Sequence, residues 1–130
     1  MTQAMIVDSS ELWASELKAH LEKLGLQVAS WQTKGTGWTE SLKNTSIKWI
    51  FVDDQLPSRS GLKCIEKLHE ARVFGGHIVF MHSIQGAAAA QLELSAFMWG
   101  ARFVLRKPFR LAELRKIIEQ ITPIARPHDP

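Results

Sequence analysis

Cysteine occurs once in these 130 residues, at Cys64, which excludes an internal disulfide and a metal site built from several thiolates. A single free thiol suits a reducing compartment, and the cytoplasm is the expected location. No stretch is long and apolar enough to span a membrane, and no membrane partner is expected. Met1 to Ser10 holds neither a basic leader nor a long apolar segment, so no secretory signal is expected. Repeats and low-complexity segments are absent, apart from Ala87–Ala90, a run of good helix formers. An excess of either charge is also lacking. The formal net charge is +3, with 22% charged and 45% hydrophobic residues, ordinary globular values that argue against wholesale disorder. At this length one domain with a real core is expected.

The charge that is present is unevenly placed. Residues 1–100 carry nine basic and ten acidic side chains, whereas 101–130 carry seven and three. Such a basic end suits an acidic partner or a solvated face. The five tryptophans are scattered and are read as packing residues, so no direct nucleic-acid binding is expected. His20, His69, His77, His82 and His128 show no ligand spacing and are read as structural or surface residues.

The most informative stretch is Ile47 to Leu68. Ile47, Trp49, Ile50, Phe51 and Val52 form an apolar run interrupted only by Lys48 and closed by Asp53 and Asp54. A short run of this kind reads as a strand buried on both faces, as in a parallel sheet. Turn residues follow from Gln55 to Gly61, and then Leu62, Cys64, Ile65 and Leu68 recur at helical spacing. Upstream, Ala4–Val7 is a strand ending at Asp8, with Ser9 or Ser10 available to cap the next helix. That helix carries Leu12, Trp13, Leu17, Leu21 and Leu24 and stops at Gly25. Leu26 to Trp31 alternates as a second strand, and a short helix is expected over Thr39 to Lys43. Downstream, strands over Ile78–Met81 and Phe103–Leu105 alternate with helices over Gly86–Trp99 and from Leu111 to Ile121. Residues 122–130 hold three prolines and read as a tail or the start of a linker.

Five strands alternating with five helices predict a single doubly wound α/β domain with a five-stranded parallel sheet and right-handed crossovers. In such sheets ligands bind outside the carboxyl ends of the strands. The residues at those mouths are Asp8, Asp53, Ser83 and Lys107.

Asp8 after Met5-Ile6-Val7, Asp53 before Gln55-Leu56-Pro57 and Gly61-Leu62, Ser83 after the fourth strand, and Lys107-Pro108-Phe109 together resemble the CheY-like receiver domain of bacterial response regulators. The likeness covers roughly residues 3–121. It implies the flavodoxin-like strand order 2-1-3-4-5, for which a chemotaxis receiver is a known example. It also implies that Asp53 is a phosphoacceptor served by a histidine kinase or phosphotransfer protein. Asp8, Asp53 and the backbone carbonyl of Gln55 would hold Mg²⁺. Lys107 would pair with phosphoryl oxygens, and Ser83 would turn its hydroxyl toward them. Pro108 matches the turn that follows the family's lysine. Enzymatic activity beyond the domain's own phosphorylation and dephosphorylation is not implied. A protein partner or a homodimer would use the face made by the fourth predicted helix, the fifth strand and the fifth helix. With no DNA-binding domain after residue 121, a stand-alone regulator or a piece of a longer protein is expected.

Three positions depart from the family pattern. Ser9 stands where a second metal-binding acid is usual, and a hydroxyl poorly replaces a carboxylate on Mg²⁺, so weak metal binding is expected. Asp54 is adjacent, but alternation along the strand points it away; Glu11 is another possible stand-in. Ile84 follows Ser83 where a small residue is usual, narrowing the site. Val104 stands where the family has its aromatic switch, tyrosine is absent altogether, and Phe103 should face the other side. Beside a phosphorylated switch, then, stands a pseudo-receiver that only binds partners. A flavodoxin-like small-molecule binder ranks third, because Asp8-Ser9-Ser10-Glu11 is no glycine-rich phosphate loop.

Overall fold

The apolar run around Trp49 forms the middle of the sheet. In the computed structural model, which describes residues 2–124, β1 (Gln3–Val7), β2 (Gln27–Gln32), β3 (Ile47–Asp53), β4 (His77–His82) and β5 (Phe103–Arg106) make one five-stranded sheet. Its order is β2-β1-β3-β4-β5, and every adjacent pair is parallel. This is the doubly wound order expected. β3 is buried on both faces, except at Lys48, because helices cover the sheet on each side.

The helices are α1 (Glu11–Lys23), α2 (Gly61–Ala71), α3 (Ala87–Met98) and α4 (Leu111–Glu119). Alternation along the strands divides the core in two. Ala4, Ile6, Trp49, Phe51, Val79, Met81 and Leu105 meet α1 and α4 through Leu17, Leu21, Leu114 and Ile118. Met5, Val7, Ile50, Val52, Ile78 and Phe80 meet α2 and α3 through Cys64, Ile65, Leu68 and Ala96. Phe103 joins the first group and Val104 the second, the opposed directions expected of neighbours on a strand.

Two sequence expectations change. The second crossover has no α-helix, only a 3-10 helix over Thr39–Lys43 with none of its residues buried. Its short sequence offers no apolar stripe to pack; Trp38, just before it, is the buried anchor instead. There are thus four α-helices among the described residues rather than five. In α1, Leu12 does not belong to the core stripe. It is 74% exposed, and Ala14 takes the inward position with Leu17 and Leu21.

At the other end, the Trp49 indole N–H donates to the Thr122 hydroxyl (3.4 Å), and Ile124 packs against the first core. The rest of the predicted tail, 125–130, lies outside the described residues. Among those residues no helix is long and apolar enough to cross a membrane.

Candidate functional site

The carboxyl edge of the sheet is extended by backbone bonds past the strands proper. The Asp8 N–H donates to the Gln32 carbonyl (2.9 Å), that of Asp54 to Met81 (2.9 Å), and that of Lys107 to His82 (2.7 Å). The strand ends therefore stay in register as far as Asp8, Asp53 and Lys107. Gly61 fixes the far side: a Cβ there would run into the carbonyl of Asp53, while its N–H donates to the Asp54 carbonyl (2.9 Å). Only glycine lets α2 begin so close to β3. The Lys107–Pro108 peptide is cis.

The Lys107 ammonium lies 2.7 Å from Asp8 Oδ2 and 2.8 Å from Asp53 Oδ1. Lys107, Asp8 and Asp53 side chains are only 6%, 2% and 12% exposed, so each charge depends on the others for the solvation that burial removes. Lys107 Nζ also sits 5.3 Å from the ring centre of Trp13. The two acids are held alike. The Ser10 N–H donates to Asp8 Oδ1 (2.9 Å), and the Gln55 N–H donates to Asp53 Oδ2 (3.1 Å). Each carboxylate thus bonds the backbone two residues on, the Asx arrangement natural to an Asp leaving a strand. Ser10 also caps α1 by accepting from the Trp13 N–H (3.3 Å).

These groups line a cavity of about 260 Å³ together with Ser9, Asp54, His82, Ser83 and Ile84. Asp8, Asp53, Ser83, Lys107 and Gln55 therefore share one site. Two carboxylates against one ammonium leave it net negative, and Asp54 adds to this. Asp54 borders the same cavity, at the bend that follows the end of β3 at Asp53. Burial, then repulsion from Asp53, raise the Asp54 carboxyl above its usual range, against an opposing pull from His82. Ile84 is half-buried and lines the cavity, whereas Ser83 is exposed and has no hydrogen-bond partner among the described residues.

The oxygens facing the cavity fit a hard divalent ion such as Mg²⁺ in part. Asp8, Asp53 and the Gln55 carbonyl would offer three ligands to an ion that retains several waters. The Ser9 hydroxyl donates to that carbonyl (3.4 Å) where an anionic ligand would serve the ion better. Among the described residues no group of three or more His, Cys, Asp or Glu is placed to hold a metal.

One wall of the cavity was not visible in the sequence. His82 is fully buried, with its Nε2 2.6 Å from Glu93 Oε2. The Ile84 N–H donates to His82 Nδ1 (3.0 Å), which leaves Nε2 as the ring nitrogen that meets Glu93. Arg106 then donates to Glu93 through Nε (2.6 Å) and a terminal nitrogen (2.9 Å). Chiefly through Arg106, the Glu93 carboxyl is pulled down to about 2. The only usable signal was register: in the parallel sheet His82 lies opposite Arg106.

The response regulator receiver domain family matches residues 4–119. The autoinducer 2 sensor kinase/phosphatase LuxQ from two strains of Vibrio vulnificus is 30% identical over 112 residues, 86% of this chain. The chain spans 13% of the length of those curated relatives. Among solved structures, a chain of the CheX-CheY-BeF3-Mg²⁺ complex from Borrelia burgdorferi gives a TM-score of 0.81 at 18% identity, covering 92% of this chain and 88% of that one. A two-component response regulator from Clostridium difficile gives 0.80 at 22% identity, covering 92% and 94%. At these identities the structural likeness establishes the fold.

Proposed function

The chain belongs to the response regulator receiver domain family, and from that premise we propose that residues 1–121 form a phosphorylated switch whose acceptor is Asp53. The observation that carries this is the joint approach of Lys107 to Asp8 and Asp53 at the mouth of one cavity. The donor is the phosphohistidine of a histidine kinase or phosphotransfer protein. An oxygen of Asp53 attacks phosphorus in line, the P–N bond breaks, and its electron pair stays on the imidazole. Acyl phosphate formation depends on position and charge neutralisation more than on a strong base. Lys107, freed from part of its contact with Asp53, follows the new phosphoryl oxygens. Ser83 offers its unpartnered hydroxyl to one of them. Asp8, Asp53 and the Gln55 carbonyl would hold Mg²⁺, which supplies cationic charge to the transferring group. The chemistry is confined to the domain's own phosphorylation and dephosphorylation.

The added group brings about −1.5 to −2 charges, enough to bias a loop with two arrangements. Its output would be read at α3, β5 and α4 by a protein partner or a second copy. Phe97, Met98 and Trp99 support this: all three are exposed at the end of α3, and Arg102 and Arg106 lie nearby in the chain. Apolar and arginine side chains side by side suit a protein interface.

Incubation of the full chain with acetyl phosphate and Mg²⁺, followed by intact mass spectrometry, tests the acceptor. One added phosphoryl mass, lost in Asp53→Asn, is expected; label that survives this substitution places the acceptor elsewhere.

A second reading, a pseudo-receiver that binds partners without phosphate, is favoured by one observation. All four oxygens of Asp8 and Asp53 already accept an internal hydrogen bond or ion pair, and Ser9 occupies the Gln55 carbonyl. No added mass under the same conditions, with partner binding intact, would support it.

A further inference from the structure

We propose that His82, Glu93 and Arg106 form a relay through which the cavity and the surface at α3 and β5 sense each other, with His82 as its positioning residue. The inference rests on the receiver reading for what drives the relay, not for its existence. The usual aromatic position offers no such link, since Val104 stands there and packs into the core beneath α2 and α3.

The geometry is continuous. Ser83 and Ile84 follow His82 directly, and both line the cavity. The Ile84 N–H is bound to Nδ1 of the His82 ring (3.0 Å), so the peptide between Ser83 and Ile84 cannot move inward without pulling on that bond. The other ring nitrogen is fastened to Glu93 on α3 (2.6 Å). Glu93 is gripped at both carboxylate oxygens by Arg106 at the end of β5. Fork-to-carboxylate pairs of this kind fix orientation as well as distance. Arg106 is itself 64% exposed. The chain of bonds thus starts at a wall of the cavity and ends on the surface proposed for partners.

A buried ring with both nitrogens engaged has little freedom to move alone. An inward shift of Ser83 therefore rotates or releases His82, and Glu93 must follow or let go. Either response changes how Arg106 is presented. Conversely, a partner that takes Arg106 away from Glu93 loosens the Ser83–Ile84 loop, since coupling between two sites is reciprocal.

The test begins at the surface end and needs no phosphoryl group. Nitrogen-15-labelled full chain and its Arg106→Ala variant are compared by NMR. The relay predicts that the Ser83 and Ile84 amide signals move in the variant, and that exchange of the Ile84 amide quickens about tenfold or more. Arg106→Lys, which keeps the charge but not the fork, should fall between. Changes confined to the immediate neighbours of Arg106, with Ile84 exchange unaltered, overturn the proposal.

A second arm adds beryllofluoride and Mg²⁺ as the phosphoryl mimic. The Arg106 Nε–H signal should shift together with Ser83, and in Glu93→Ala the Ser83 shift should persist while that at Arg106 disappears. A response at Ser83 and Lys107 with none at Arg106 in the wild-type chain overturns the coupling. No response anywhere defeats the receiver reading instead, and the Arg106→Ala comparison then decides the relay by itself.

Discussion

The hydroxyl of Ser9 donates to the backbone carbonyl of Gln55 across 3.4 Å, joining the loop after β1 to the loop after β3 at the edge of the acidic cavity. That carbonyl is one of three oxygens proposed for Mg²⁺, and Ser9 meets it with a neutral group. Replacing Ser9 by Asp adds negative charge where the ion lacks it, without disturbing a buried side chain, since Ser9 is exposed. Mg²⁺ binding by Ser9→Asp should tighten by about tenfold or more, on the order of 1.4 kcal/mol. Titration followed by tryptophan fluorescence reads this, because Trp13 lines the cavity. Equal affinities for the two proteins would mean that Asp54 or another group already completes the site.

Lys107 bears on stability as well as on chemistry. It is the sole ammonium within ion-pair distance of Asp8 and Asp53 among the described residues, and all three side chains are nearly or fully withdrawn from water. Lys107→Met keeps the length of the chain and removes the charge, leaving two buried carboxylates facing each other. A loss of about 3 kcal/mol or more is expected in urea unfolding at neutral pH. The paired variant with Asp53→Asn should recover part of it, because one of the two stranded charges is gone. An unchanged midpoint for Lys107→Met would show that water already solvates these acids.

Glu93 gives the fold a pH dependence of known sign. Its carboxyl falls from an ordinary 4.5 to about 2, chiefly through the Arg106 hydrogen bonds, with His82 adding a smaller pull. A carboxylate depressed in the folded state contributes stability that is complete above the unfolded value and lost as pH falls through the folded one. Glu93 should therefore help to hold the protein above pH 4.5 and give up that help between about pH 4.5 and 2. Glu93→Gln should flatten this part of the stability–pH curve measured by thermal unfolding. An identical acid limb in the variant would place the acid sensitivity in other carboxylates.

What was legible in the sequence was whatever depends on periodicity or on order along the chain. The run from Ile47 to Val52 gave a doubly buried strand, and the order of Asp8, Asp53, Ser83 and Lys107 located the cavity. Less visible was anything decided by where an element stops. Alternation separates Asp54 from Asp53, yet both border the cavity where β3 ends. Leu12 matched a helical stripe, but Ala14 is what the sheet has room for. The crossover at 39–43 had helix-forming residues without an apolar face, and only a 3-10 helix resulted. His82 and Glu93 lie eleven residues apart, with no spacing rule to join them; their meeting with Arg106 follows from the fold of β4, α3 and β5.

The last expectation concerns the surface of α3. This helix is apolar nearly all round, and it leaves Leu94, Phe97 and Met98 exposed, with Trp99 just beyond its end. Met98 is 74% exposed, so the side chain gains nothing from the domain's own core. Scattered single hydrophobes need no explanation, but four within six residues make a patch whose burial would be favourable. Beside it in the chain, Arg102 adds a cation whose guanidinium lies 5.9 Å from the Phe103 ring centre. Self-association through this patch should appear as a concentration-dependent rise in sedimentation coefficient. Leu94→Asp with Met98→Asp should abolish that rise with little loss of stability, since neither side chain is in the core. Arg102→Glu alone should weaken it less, because an exposed charge contributes about 1 kcal/mol at most. A wild-type chain that sediments as a monomer at every concentration, and whose protein partners bind the Asp variant equally well, would leave the patch without a role in assembly and move the proposed output surface to another face.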